Sequence, residues 1–227
     1  MPRRPKKSSP DRPAPSKSTA RHATAPQAAP VSVRIIGGSL RGRRLECTGD
    51  PRTRPMKDRV REAVFNLLGD VSGSTAIDLF AGTGALGFEA LSRGAKAAVF
   101  FEQHFPTADV IRRNAALLGV AGACEVLPAD TFVWFRRPDR LTELAHAGPW
   151  VVFCSPPYEF YVSRGDELLR VVRQLWEAAP PDSAFVVEAD ERFDFALLSD
   201  VGAWDVRSYP PARVGLAWKD YASPGRE

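Results

Sequence analysis

At 227 residues the chain has the length of one globular domain with an appendage, and its 44% hydrophobic and 10% aromatic content excludes a wholly disordered polymer. No apolar run approaches the roughly 18 residues of a membrane-spanning helix, so a soluble, cytoplasmic protein with no membrane partner is expected. The net charge of +4 is unevenly placed: residues 1–30 carry seven Lys or Arg against one Asp, residues 31–62 carry nine against four, and everything beyond is net acidic. That basic N-terminal quarter predicts a polyanionic partner, because each neutralised phosphate releases counterions. The three cysteines (Cys47, Cys124, Cys154) form no CxxC pair and the three histidines are scattered, so neither a disulfide framework nor a metal site is expected.

Residues 1–30 hold seven prolines and no Val, Ile, Leu, Phe, Tyr or Trp, which predicts a disordered tail. An organelle transit peptide is the alternative, although the prolines oppose the amphipathic helix such a segment needs, and there is no apolar stretch of secretory type. Residues 31–70 read as a separate basic extension. VSVRIIGGSLRGRRLEC (31–47) predicts two short strands about a Gly-Gly turn. KDRVREAVFNLL (57–68) predicts a helix whose apolar stripe is Val60, Ala63, Val64, Leu67 and Leu68. Arg34, Arg41, Arg43, Arg44, Arg54, Arg59 and Arg61 are its candidate nucleic-acid contacts, with Arg59 and Arg61 placed off the apolar stripe.

From residue 71 strand-like and helix-like segments alternate. Strands are predicted at 75–80, 97–102, 123–128, 150–154 and 184–189, and helices at 85–94, 105–118, 131–136, 164–178 and 191–199. Continuously apolar strands of this kind are buried on both faces, as in a parallel sheet layered between helices. Residues 204–222, divided by Pro210-Pro211, predict an antiparallel hairpin closing the sheet.

Two segments carry chemistry. Asp78-Leu-Phe-Ala-Gly82-Thr-Gly84-Ala-Leu-Gly87 joins the first sheet strand to its helix, where glycines permit a tight turn and close backbone approach to a ligand. Such a loop by itself fits a dinucleotide equally well. Asp78 before the glycines is placed to hold an ammonium, Glu102 at the next strand end to accept from a ribose diol, and Asp130 after the third strand to meet an adenine amine. S-adenosyl-L-methionine carries all three groups, whereas NAD lacks the ammonium. Phe80, Thr83, Gln103 and Thr131 complete the candidate cofactor set. Alternatively, Asp130 is a helix N-cap and Gly87 a packing glycine. The second segment, Ser155-Pro156-Pro157-Tyr158, follows the fourth sheet strand and faces the glycine loop. Its fixed backbone carbonyls and Ser155 suit an exocyclic amine, and Tyr158 suits stacking on a flipped base.

With both segments in view, the chain resembles the bacterial 16S rRNA guanine-N2 methyltransferases, the RsmD family. The resemblance runs from about Arg34 to Tyr221 and rests on RIIGGSLRGRRL (34–45), RPMKDRVREAVFNLL (54–68), DLFAGTGALGFEALSRGA (78–95), FFEQHFPTADVIRRN (100–114) and SPPY (155–158). It implies a Rossmann-like class I S-adenosylmethionine-dependent methyltransferase fold over residues 71–227, with a small N-terminal hairpin and helix in front. It also implies donor contacts from Asp78, Gly82, Gly84, Glu102 and Asp130, and guanine contacts from Pro156, Pro157 and Tyr158. The partner implied is 16S rRNA or a small-subunit assembly particle, and a monomer is expected. The chain departs from the family pattern at Ser155, where relatives usually carry Asp or Asn, at Met56 and at Arg213-Val-Gly215. Ser-Pro-Pro-Tyr is similar to the cytosine-N4 methyltransferases of DNA, so two readings stay open beside the first. One is transfer to cytosine or adenine amines; the other is an RNA-binding assembly protein with a degenerate site.

Overall fold

The computed structural model describes residue 1 and residues 33–50, 55–144 and 148–219. The predicted disordered tail and Arg54 lie outside the described residues. The first described elements are β1 (Val33–Arg34) and β2 (Arg44–Leu45), an antiparallel pair around the predicted Gly-Gly turn. Helix α1 (Asp58–Leu68) follows. The main sheet has seven strands: β3 (Thr75–Asp78), β4 (Ala97–Phe101), β5 (Cys124–Leu127), β6 (Trp150–Cys154), β7 (Ala184–Ala189), β8 (Asp205–Tyr209) and β9 (Ala212–Trp218). Their order is β5-β4-β3-β6-β7-β9-β8, parallel from β5 through β7 and antiparallel at β9 and β8. The predicted closing hairpin is therefore present.

Helices cover both faces. On one face α1, α2 (Ala85–Ser92) and α3 (Phe105–Leu118) pack with Val33, Ile35 and Leu45 against Ala76, Phe100, Phe153 and Val186. On the other, α4 (Thr131–Trp134) and α6 (Gly165–Ala178) cover Ile77, Val99, Val152 and Val187. The amphipathic α6 sends Leu168, Val171, Val172 and Leu175 inward at helical spacing. A short α5 (Phe160–Ser163), absent from the sequence reading, links β6 to α6. No described helix is long and apolar enough to cross a membrane.

The predicted helix at 191–199 is a correction. Only a 3-10 turn forms, at Phe195–Leu198, begun by Asp194 accepting the Ala196 amide at 2.9 Å. Phe195 and Leu198 stand three apart, as on a helix face, but the Asp190 and Asp194 side chains each capture a nearby amide and favour turns over helix continuation.

Gly87 has a plain packing cause. A Cβ there would lie 2.3 Å from Cε1 of Phe100, inside the contact between α2 and β4. Gly87→Ala is expected to cost about 1–3 kcal/mol by overpacking, seen as a lowered thermal midpoint, because neither backbone nor ring can retreat freely.

Candidate active site

In this sheet the chain starts at central β3, runs outward through β4 and β5, then returns to β6 on the other side of β3. Ligands of open α/β sheets bind in the crevice at such a reversal, beyond the strand carboxyl ends. The loops leaving β3 and β6 are the glycine loop and Ser155–Tyr158, so the fold brings the two predicted segments to adjacent strand ends.

Asp78 ends β3 and is buried, and neither carboxylate oxygen has a hydrogen-bond partner of good geometry. Burial pushes its pKa up to about 7; the Gly87 and Phe80 backbone amides oppose the shift, and nearby Glu102 adds to it. An orphaned buried carboxylate is costly, and a ligand ammonium is the kind of group that would satisfy it. Gly82 and Gly84 both have positive φ, at 51° and 78°, and Gly84 caps α2 in the left-handed conformation. Thr83 between them is buried.

Glu102, just past β4, holds the loop in shape: Oε2 accepts from the Gly82 amide and Oε1 from the His104 amide, both at 2.8 Å. Burial raises its pKa, with those two amides opposing. The N-terminal extension reaches this point, with Asp50 Oδ2 lying 3.8 Å from His104 Nδ1. Gln103 is exposed beside it.

Asp130 is the N-cap of α4. Its Oδ1 accepts from the Phe132 and Val133 amides at 2.8 and 3.1 Å, and its Oδ2 from Arg164 Nη1 at 3.0 Å. The capping alternative read from sequence is thus realised. Thr131 is buried and donates to the Leu79 carbonyl, tying α4 to the end of β3. Arg164 also stacks over Phe132, with the guanidinium carbon 3.8 Å from the ring centroid. Phe80 joins Phe132 and Phe160 in an aromatic cluster beside the crevice.

At the second segment Pro156 is buried, Pro157 exposed and Tyr158 half-buried. Ser155 Oγ donates to Glu188 Oε2, and the Tyr158 hydroxyl donates to Glu188 Oε1 at 3.1 Å. Glu188, near the end of β7, was missed from sequence. A signal was available: it is the single charge within AFVVEA, a strand otherwise buried.

The arginines separate into two groups. Arg41, Arg43, Arg44 and Arg59 are exposed, with Arg43 also donating to the Leu117 carbonyl at 2.6 Å. Arg34 is exposed and paired with Asp58 at 3.0 Å. Arg61 is a correction: it is fully buried, donating to the Met56 and Arg34 carbonyls and to Asp58, with Nε 3.7 Å from buried Glu89. Positions 61, 65 and 68 share one helix face, so Arg61 turns inward beside Phe65 and Leu68. Among the described residues no group of His, Cys, Asp and Glu could hold a metal ion.

A doubly covered, mostly parallel sheet with an antiparallel hairpin, and a glycine loop closed by an acid at the next strand end, define a class I methyltransferase fold. The chain belongs to the family described as Conserved hypothetical protein 95, whose model matches residues 33–206. It is 39% identical over 127 residues to the Ribosomal RNA small subunit methyltransferase D of Escherichia coli strain K12, a match covering 56% of this chain and 60% of that relative's length. The solved structure of a hypothetical protein from Thermus thermophilus superposes with a TM-score of 0.62 at 26% identity, over 82% of this chain and 99% of the other. The Thermus thermophilus 16S rRNA N2 G1207 methyltransferase, solved with AdoMet and guanosine, shares the fold at a TM-score of 0.61 and 19% identity, over 83% of this chain and 50% of that one.

Proposed function

We propose that this protein methylates small-subunit rRNA, transferring a methyl group from S-adenosyl-L-methionine to the exocyclic N2 amine of a guanine. The observation that carries the reading is the meeting of the Asp78 glycine loop and Ser155–Tyr158 at the sheet's reversal point, beside a basic extension in the same hydrophobic core. Asp78 receives the ammonium of the donor, and Glu102 keeps the glycine loop open to the ribose. Phe80, Thr83, Gln103, Asp130 and Thr131 line the remainder of the donor site. The donor supplies an electrophilic methyl on a sulfonium. An amine conjugated to its ring is a poor nucleophile, so the Pro156 carbonyl and its neighbours accept hydrogen bonds from N2, pushing electron density onto nitrogen and aiming its lone pair. Tyr158 stacks on the flipped base and Pro157 stiffens the platform. The N2–carbon bond forms as the sulfur–carbon bond breaks, and the extra N2 proton passes to water.

Residues 71–227 form the methyltransferase domain of this reading, and 31–70 the RNA-binding extension, with the basic tail adding electrostatic affinity. The partner is 16S rRNA, bare or in an assembling small-subunit particle, met by a monomer in the cytoplasm. Because Arg41 and Arg44 act on phosphates, Arg41→Glu with Arg44→Glu is expected to raise the RNA KM and lower the salt slope of RNA binding by about two. Calorimetry with the donor alone should show its affinity unchanged. The function itself is tested by mass spectrometry of rRNA from a strain lacking the gene. One N2-methylguanosine should be missing and should return with the wild-type gene; a full complement of methylated guanines in the deletion strain would refute the reading.

A further inference from the structure

Glu188 is the one carboxylate that the described hydrogen bonds place on Ser155–Tyr158, and the donor site does not use it. Its position follows from register. In the parallel pairing of β6 and β7, Cys154 lies opposite Val187, so Ser155, just past β6, comes beside Glu188 near the end of β7. Along β7 side chains alternate, and Val186 lies in the core on the α1–α2 face, so Glu188 shares that face with Asp78 of β3, two residues past buried Ala76. The face is the one the basic extension covers. The carboxylate is held at both oxygens, Ser155 donating to one and Tyr158 to the other, and the strand beneath it is held by the Tyr161 hydroxyl, which donates to the Glu188 backbone carbonyl at 2.6 Å.

We propose that Glu188 selects guanine, its two oxygens accepting the N1–H and one N2–H of the flipped base while Ser155 and Tyr158 hold the carboxylate plane. The inference rests on the methyl-transfer reading above and names how that same site chooses its base. Guanine is the only standard base whose exocyclic amine sits beside a ring N–H, so it presents two adjacent donors that match a carboxylate fork. Adenine and cytosine place a ring acceptor next to the amine, and its lone pair faces a carboxylate oxygen unfavourably. A site built to pair with a base edge rejects the analogue that leaves a buried polar group unmatched. Ser155 thereby acquires a part different from that of the Asp or Asn it replaces: its hydroxyl recruits a carboxylate from the neighbouring strand. The two hydroxyls retain lone pairs after donating, so they also remain able to accept from N2.

The test uses RNA carrying either guanine or 2-aminopurine at the mapped target position. 2-Aminopurine keeps the N2 amine but turns N1 into an acceptor. Single-turnover rates are compared for the wild-type protein and Glu188→Gln. The wild type is expected to prefer guanine at least tenfold. In Glu188→Gln the amide oxygen still accepts from N2–H, but the amide NH2 meets the N1–H of guanine donor to donor, whereas it can donate to the bare N1 of 2-aminopurine, so guanine methylation should fall roughly tenfold to hundredfold. The guanine to 2-aminopurine ratio should meanwhile drop at least tenfold, with donor affinity unchanged. A purely structural glutamate would slow both substrates alike, and an unchanged ratio in the variant would overturn the inference. So would a wild-type ratio near one, which needs no variant at all. Wild-type protein that methylates no guanine would instead overturn the function on which the inference rests.

Discussion

Asp78→Asn is expected to weaken donor binding by at least tenfold while making the donor-free protein more stable. Both effects come from the same group. In the folded chain Asp78 is buried without a good hydrogen-bond partner and its pKa is about 7, against 3.8 in a model peptide. Because the folded state holds the proton more tightly, the donor-free protein loses stability as pH rises from about 4 toward 7, and above that the full penalty of the charge is present. A shift of this size corresponds to a few kcal/mol, since each unit is about 1.4 kcal/mol. Asparagine removes the charge at nearly constant volume, so the thermal midpoint at pH 8 should rise by several degrees and lose its dependence on pH between 5 and 8. The ammonium then has no anionic partner, and donor affinity falls. In the wild type, donor binding should weaken below about pH 7 for the same reason. Calorimetry and thermal melts across that pH range check all of this. An asparagine variant that binds the donor normally would show that the carboxylate is not its ammonium partner.

Arg61→Ala is expected to produce the largest loss of stability among the arginine variants, on the order of 3 kcal/mol. Removing one member of a buried charge network leaves partners desolvated and unmatched. Arg61 serves the Met56 and Arg34 carbonyls, Asp58 and, at longer range, Glu89. The loss sits at the low end of the usual range because Glu89 keeps Arg93 at 2.9 Å and the Ile36 and Gly37 amides at 2.8 and 2.7 Å. Together these contacts clamp β1, the following turn and α1 onto α2, so the variant should also expose the extension to proteolysis. The melting midpoint should fall by roughly 6–12 °C for a domain of this size. Arg59→Ala, an exposed neighbour, should change stability by less than about 0.5 kcal/mol. Equal melting behaviour of the two variants would contradict the structural assignment of Arg61.

The sheet was legible in the sequence because each strand is a short, unbroken apolar run, and the crevice was legible because glycines and prolines fall just after two of those runs. Asp78, Glu102 and Asp130 stand at strand ends, where their charge interrupts apolar sequence. Their hydrogen-bond partners were not legible. Whether Asp130 faces a ligand or caps α4 depends on Arg164, 34 positions away, and on the direction of a four-residue helix. Arg61 was placed off the apolar stripe and read as a nucleic-acid contact, although its spacing to Phe65 and Leu68 puts it on the buried face. Glu188 was passed over because its importance arises from strand register: only the pairing of β6 with β7 brings it against Ser155. The segment 191–199 misled in the opposite direction, since its buried Phe193, Phe195 and Leu198 belong to a packed loop and not to one helix face.

The most direct test of the central claim is to incubate the purified protein with methyl-labelled S-adenosyl-L-methionine and small-subunit rRNA, bare and in particles, and to identify the labelled nucleoside by mass spectrometry. One N2-methylguanosine per rRNA is the predicted product. Label appearing only in methylcytosine or methyladenosine, or no label at all while the donor binds, would contradict the account.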